Sequence, residues 1–341
     1  MGSNMKAEGC QIVITEQSGS VQLPKSLTVI EAVAFKQTFQ ELCQGHPDLE
    51  RADLDLTNTQ FVDSSGIGAI VNSWKTAKQH GMEFALLNVS PQVMMALSLS
   101  GIDQMLDIRK AQAQPDDEPH GQGGASGRIL SSRPQMPATH PSVSSKTKRL
   151  IDIVGALVGL GLTGILIVPI AIAIKLEDGG PIVFGQTRCS LMGRRFRIWK
   201  FRSMVTNAEA LKHTVKNEVE GALFKNENDP RITKVGRFLR KTSLDEFPQF
   251  WNVLKGDMSL VGTRPPTPDE LERYEVPQWQ RLNVKPGITG EWQVYGRSSI
   301  KDFEDVIRLD LRYQEKWSLK YDLELILKTI TVIFDKESGA Y

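Results

Sequence analysis

The segment Thr242-Ser-Leu-Asp245-Glu246-Phe-Pro-Gln249 sets two adjacent carboxylates just downstream of five cations, Arg231, Lys234, Arg237, Arg240 and Lys241. Apolar residues then recur at helical spacing, at Phe247, Phe250, Trp251 and Leu254, so the acids are expected at a helix start. The partial positive charge of a helix N-terminus keeps a carboxylate ionised. An ionised carboxylate among cations suits attack on phosphorus, where one anion must approach another. The same residues also fit local architecture. Ser243-Leu-Asp-Glu246 matches a capping box, and Pro248 is a good first helical residue.

Further cations sit in the elements that would have to position this pair. In Phe196-Arg-Ile-Trp-Lys200-Phe-Arg202-Ser-Met204, apolar and basic residues alternate as in a strand with one packed face. Arg237, Arg240 and Lys241 share helical spacing, which also fits a solvated basic face. Arg264 precedes Pro265-Pro266, which holds its backbone extended and would aim its guanidinium. Val284-Lys-Pro-Gly-Ile-Thr-Gly290 leads to Gly296-Arg297, another glycine-punctuated loop ending in arginine. Arginine is shaped for bidentate phosphate recognition. No Walker loop, G-x-G-x-x-G or H-E-x-x-H occurs.

Charge is unevenly distributed. Residues 1–110 carry 8 basic and 12 acidic side chains, net −4, whereas residues 146–341 carry 31 and 25, net +6. The second part therefore favours an anionic partner such as a phosphate, a nucleotide or a membrane surface. Its cations cluster at glycine turns and acids rather than along an aromatic groove, which argues against nucleic acid. The 3 cysteines, Cys10, Cys43 and Cys189, show no metal spacing and fit a reducing cytosol. Met1-Gly-Ser-Asn4 ahead of Met5 reads as a cloning remnant with no secretory signal after it. A chain of 341 residues has room for two or three domains.

Residues 10–110 read as an α/β layer. Strands are expected at Gln11-Ile-Val-Ile-Thr15, Ala52-Asp-Leu-Asp-Leu56 and Phe84-Ala-Leu-Leu-Asn88, with a turn at Ser18-Gly-Ser20. Helical spacing covers residues 27–43 and the stretch from Ser64 through Trp74 to Gly81. Asp63-Ser64-Ser65-Gly66, between strand and helix, is a capping sequence. A phosphate added there would meet the helix dipole. Residues 111–145, rich in Pro and Gly and nearly devoid of large apolar side chains, read as a flexible linker. Residues 150–174 form an apolar run with Lys146, Lys148 and Arg149 before it and Lys175 after it. The run is long enough to cross a bilayer as a single helix. Cations at both ends mark no inside for a spanning helix, and Pro169 would kink it. No second apolar run follows, and the basic domain must share a compartment with the first domain if both meet cytosolic partners, which favours re-entry, with both ends on one face.

Two resemblances sharpen these readings. Leu54-Asp-Leu-Thr, Val62-Asp-Ser-Ser-Gly-Ile-Gly68, Leu87-Asn88 and Leu99-Ser-Gly101 resemble a STAS domain, the anti-sigma-factor-antagonist family, over residues 10–110. The resemblance implies Ser65 as the candidate phosphorylation site, or a docking or homodimerising role with a protein partner. From Lys148 to about residue 334 the chain is similar to the bacterial sugar transferases, the monotopic phosphoglycosyl transferase family. The resemblance rests on Lys148-Arg-Leu-Ile-Asp152, Gly180-Pro-Ile-Val-Phe184, Lys200-Phe-Arg-Ser-Met204 and Ser243-Leu-Asp-Glu-Phe-Pro-Gln249. It also rests on Asn252 through Gly262, Arg264-Pro265, Lys285-Pro-Gly-Ile-Thr-Gly290 and Gly296-Arg297.

The second resemblance implies an α+β, helix-rich monotopic membrane domain over residues 146–341, with a re-entrant helix at residues 150–174. It implies transfer of a sugar phosphate from a UDP-sugar to a polyprenol phosphate, undecaprenyl phosphate, at the cytoplasmic face of a bacterial inner membrane, with membrane lipid around it. Asp245 and Glu246 are then the catalytic dyad, with Mg2+ bound in part by Asp245. Lys200, Arg202, Arg240, Arg264 and Arg297 are then the phosphate and nucleotide-sugar contacts. One departure stands out. The family's helix-breaking Ser-Pro falls on Gly164-Ile165, and the sole proline of the run is Pro169. Either Gly161 and Gly164 permit the bend or Pro169 shifts it. The alternative is a membrane-anchored, non-catalytic scaffold acting through its STAS-like part. The sequence does not name the sugar or the pathway.

Overall fold

The computed structural model describes residues 3–7, 10–15, 17–109, 140–218, 226, 228–296 and 302–334. The chain divides into two compact units, Met1–Pro137 and Ala138–Tyr341.

The first unit is a six-stranded sheet with helices between its parallel strands. Its strands are β1 (Ser3–Ala7), β2 (Cys10–Ile14), β3 (Ser18–Gln22), β5 (Arg51–Asp55), β7 (Glu83–Leu87) and β8 (Asp107–Arg109), in that spatial order. β1–β2 and β2–β3 are antiparallel; the remaining pairs are parallel. A short parallel pair, β4 (Ser26–Leu27) and β6 (Phe61–Val62), lies outside that sheet. Helices α1 (Val29–Gly45), α2 (Ser64–Gln79) and α3 (Pro91–Ser100) make the crossovers that parallel strands require. The core is built on Val21, Leu54, Leu86, Phe35, Phe39 and Ile70, all fully buried. The turn expected at Ser18-Gly-Ser20 is instead the start of β3. Gly19 pairs with Ala52 there, under the side chains of Leu42 and Leu49, so the local turn preference yields to the sheet.

In the second unit, α4 (Pro141–Ser144) precedes α5 (Lys146–Asp178). Residues 111–139 of the expected linker lie outside the described residues. Residues 140–145, expected in the same linker, are structured. His140 Nε2 donates to the Gln314 carbonyl at 3.0 Å, and Ser145 caps α5 by accepting from the Lys148 N–H.

α5 is helical throughout, about 50 Å long at 1.5 Å per residue. The break expected at Gly164 or Pro169 does not interrupt it. Its buried residues form one stripe: Lys148, Asp152, Ala156, Gly159, Thr163, Ile170 and Ile174. That stripe packs at its start against Val261 and Asp322, and at its end against Phe201 and Leu239. The other faces expose Leu150, Val154, Leu157, Val158, Leu162, Ile165, Val168 and Ile172.

An antiparallel hairpin follows, β9 (Val183–Cys189) with β10 (Arg195–Phe201). Then come α6 (Lys234–Lys241), a 3-10 helix over Leu244–Gln249, and α7 (Phe250–Lys255). β11 (Ser259–Val261) runs parallel to β12 (Gly287–Thr289), with α8 (Pro268–Leu271) between them. Helices α9 (Glu291–Tyr295), α10 (Phe303–Lys316) and α11 (Leu319–Phe334) close the unit.

Candidate active site

The acidic pair lies inside the 3-10 helix, not at the first turn of an α-helix. Ser243 takes a left-handed backbone, φ 56°, and makes no side-chain cap bond, so the capping-box reading fails. Pro248 sits within the 3-10 turn rather than opening α7. A non-glycine residue in the left-handed region carries strain, and here it turns the chain sharply between the basic α6 and the two acids.

Two neighbours hold this segment in place. On one side, Asn252 clamps β10: its amide donates to the Arg197 carbonyl at 2.7 Å and its oxygen accepts the Trp199 N–H at 3.1 Å. On the other side, α5 passes so close that a Cβ on Gly159 would lie 2.4 Å from the Phe250 ring. Thr163 Oγ1 donates to the Phe247 carbonyl at 3.4 Å. The dyad is thus wedged between the hairpin and the apolar helix.

Lys200, on β10, reaches the dyad and donates to Glu246 Oε1 at 2.8 Å. Asp245 is buried, 6% exposed. Burial pushes its carboxyl above the usual range; Lys200 opposes this, Glu246 adds to it, and Arg240 again opposes it. Asp245, Glu246, Lys200 and Arg240 therefore form one electrostatic group.

Two of the other expected phosphate contacts, Arg202 and Arg264, are engaged elsewhere. Arg202 is buried in an ion pair with Asp178, at the end of α5. Arg264 grips Glu270 with both Nη atoms, at 3.0 and 3.2 Å. Arg297 lies outside the described residues.

Arg188 was not singled out from the sequence. Its Nη1 donates to the Pro265 carbonyl at 3.0 Å and stands 3.8 Å from Glu270. Burial and the nearby Arg264 push it down to about 10, while Glu270 and Glu246 pull it back. Arg188 thus lies in the fields of both Glu270 and the dyad's Glu246. The hairpin register explains this placement. Lys200 pairs with Phe184 and Phe196 with Arg188, so alternation sets Lys200 and Arg188 on one face.

Behind Arg188 lies a buried charge cluster. Arg281 is fully buried, ion-paired with Asp310 and donating to the Tyr274 hydroxyl at 2.7 Å. Burial works to raise Glu270, but Arg264 and then Arg188 overcome it and hold Glu270 at about 2. Thr267 folds Glu270 back through a capping box: the Thr267 N–H donates to it at 2.8 Å.

Among the described residues no three His, Cys, Asp or Glu side chains cluster as metal ligands. Two adjacent carboxylates still fit magnesium, which keeps several waters and takes one or two carboxylates alongside substrate phosphates.

The bacterial sugar transferase family model matches residues 143–336, and the STAS domain model matches residues 10–114. A galactosyl transferase CpsE of Streptococcus agalactiae is 53% identical over 188 residues, 54% of this chain and 42% of the relative. An undecaprenyl-phosphate galactose phosphotransferase of Salmonella typhimurium is 44% identical over 200 residues, 57% of this chain and 41% of the relative. A UDP-glucose:undecaprenyl-phosphate glucose-1-phosphate transferase of Escherichia coli is 40% identical over 195 residues, 55% of this chain and 40% of the relative. The chain thus spans about two fifths of the length of these relatives. The match covers α5, the hairpin, the dyad and the buried charge cluster together. With its second unit matched over more than half of its residues, the chain belongs to the bacterial sugar transferase family, joined to an N-terminal STAS domain.

Proposed function

We propose that the second unit transfers a sugar 1-phosphate from a UDP-sugar to a polyprenol phosphate, releasing UMP. The observation that carries this reading is the buried Asp245 beside the Lys200–Glu246 pair. An Oδ of Asp245 attacks the β-phosphorus; the bond from that phosphorus to the bridging oxygen breaks, and UMP leaves with the electron pair. A polyprenol phosphate oxygen then attacks the same phosphorus and Asp245 departs as a carboxylate. Phosphoryl transfer depends mainly on placement and charge, and Lys200, Arg240 and Arg188 supply the cations around this dyad. Asp245 and Glu246 would hold magnesium. Bound there, the ion neutralises diphosphate charge. The Salmonella and Escherichia relatives, whose names specify undecaprenyl phosphate, support the choice of acceptor.

The enzyme sits on one face of the membrane in this reading, the cytoplasmic face where UDP-sugars are found. Support comes from α5, whose buried stripe stays on the unit from Lys148 to Ile174 while its other faces are apolar. A helix crossing alone would carry one end away from the unit. Exposed Phe238, Trp251, Leu323, Leu327 and Ile330 extend the apolar surface, as interfacial helices do. Re-entry would then rest on packing along α5 rather than on a break at Gly164 or Pro169. The STAS domain is a docking module in this scheme. Ser65 is fully buried, so a kinase reaches it only after local opening of α2.

The test is UMP release from a panel of UDP-sugars with undecaprenyl phosphate. Wild type releases UMP with at least one donor, and Asp245→Asn does not. Equal rates for the two proteins would remove the nucleophile assignment.

A further inference from the structure

A cavity of about 250 Å³ opens at the N-terminal end of α5, lined by residues that include Ser145, Lys148, Arg149, Asp152 and Lys285. None of the dyad residues lines it. Lys148 and Thr163, which touches the dyad segment, are 15 residues apart on α5, about 22 Å along the axis.

The charges around this cavity are unequally satisfied. Lys148 is spent on Asp322, at 2.6 Å, and on the Val261 carbonyl. Asp152 accepts from Ser259 Oγ at 2.8 Å and from the Leu260 N–H at 2.9 Å. Asp257 is paired with Lys255 at 3.1 Å. Arg149 donates to two neutral carbonyls, Val253 and Leu254, at 2.7 and 2.6 Å, so these bonds leave its charge uncompensated. Lys285 makes no hydrogen bond and no ion pair among the described residues. Both cations converge beside Gly256: a Cβ there would lie 3.6 Å from Arg149 Cζ and 3.7 Å from Lys285 Nζ. Burial and Arg149, with Arg194 farther down, push the Lys285 ammonium down; Asp152 and Asp257 only partly offset this.

Asp152, also lining the cavity, offsets only one of these two cations, so a net positive charge borders this solvent-sized space and an anion entering it would be stabilised. We propose that the cavity binds the phosphate of a membrane lipid, bridged between Arg149 and Lys285. Position favours a lipid over free phosphate. Leu150, exposed by 61%, follows Arg149 directly, and Val154 continues the apolar surface. A headgroup seated between the two cations leaves its chains beside these side chains. Such a site would anchor the start of α5 at the headgroup layer, well away from the dyad. It goes beyond the transferase reading, and its failure would leave UMP release unaffected as evidence.

The experiment measures binding to the full-length protein in a neutral detergent, by thermal shift and by native mass spectrometry. Three probes separate the sources: phosphatidic acid, diacylglycerol with the same chains, and inorganic phosphate. Wild type binds phosphatidic acid and not diacylglycerol. Lys285→Gln weakens that binding by about tenfold or more, the loss expected for one charge-assisted hydrogen bond. Lys285→Arg retains it, which shows that loss in the glutamine variant is not misfolding. Equal affinity of wild type for inorganic phosphate and phosphatidic acid overturns the lipid assignment. Undiminished phosphatidic acid binding in Lys285→Gln overturns the site.

Discussion

Replacing Glu270 by Gln tests the charge cluster that stands behind the dyad. Glu270 is held at about 2 against an ordinary 4.5, burial being outweighed by Arg264 and Arg188. At ~1.4 kcal/mol per pKa unit, the cluster favours the carboxylate by ~3 kcal/mol. Removing one partner of a buried pair costs about 3–5 kcal/mol, because the remaining charge is stranded. Glu270→Gln strands two arginines, so a loss of ~3 kcal/mol or more is expected. The folded state binds the Glu270 proton less tightly than the unfolded chain does. That contribution is therefore complete above pH 4.5 and disappears as the pH falls toward about 2. Intrinsic tryptophan fluorescence follows this unit well, since of the 6 tryptophans Trp74 alone belongs to the first unit. Denaturant titrations at neutral pH should show the ~3 kcal/mol loss. A series descending through pH 4.5 should show wild type converging on the variant. A neutral-pH loss below about 1 kcal/mol, an ordinary surface effect, or parallel acid curves for the two proteins, would refute the reasoning.

The raised Asp245 carboxyl predicts that UMP release climbs with pH through a limb above the ordinary aspartate range. Lys200→Gln removes the largest opposing influence and moves that limb to higher pH; an unmoved limb in a folded variant contradicts the grouping. Gly159→Ala forces a methyl onto the Phe250 ring and should cost about 1–3 kcal/mol. Gly164→Ala meets nothing within 4 Å and should stabilise α5 by up to about 1 kcal/mol, as thermal melting of the pair will check. Ser65 Oγ is buried with no hydrogen-bond partner, so Ser65→Ala is expected to be neutral and Ser65→Asp to cost about 2 kcal/mol or more in urea titrations.

What the sequence discloses here is composition and period; what it conceals is pairing. The βα alternation of the first unit follows from apolar spacing, the basic α6 from the spacing of Arg237, Arg240 and Lys241, and the strand bearing Lys200 from alternation of apolar and basic residues. The dyad's backbone does not, because Ser243-Leu-Asp-Glu246 fits a capping box as well as the left-handed turn into a 3-10 helix that the chain adopts. Arg202 and Arg264 show the same limit. An arginine at the end of an alternating strand or just ahead of two prolines suits phosphate, yet each has a carboxylate partner, Asp178 or Glu270. For Glu270 a signal was present: Thr267-Pro-Asp-Glu270 is itself a capping box, and it folds the carboxylate back toward Arg264. Arg188 was out of reach, since the register joining it to the face of Lys200 is a property of the pairing. For α5, sequence supplied the apolar run and the glycines. The stripe at Lys148, Asp152, Ala156, Gly159 and Thr163 that keeps it on the domain becomes visible only with its partners in place.

The most direct test of the account is to catch the phosphorylated aspartate. Wild-type protein is mixed with a UDP-sugar that it turns over, polyprenol phosphate is withheld, and the quenched protein is digested for mass spectrometry. The account predicts a sugar-phosphate mass on the peptide bearing Asp245, discharged when undecaprenyl phosphate is added and absent from Asp245→Asn. UMP release with no adduct, or an adduct on another residue, would contradict it.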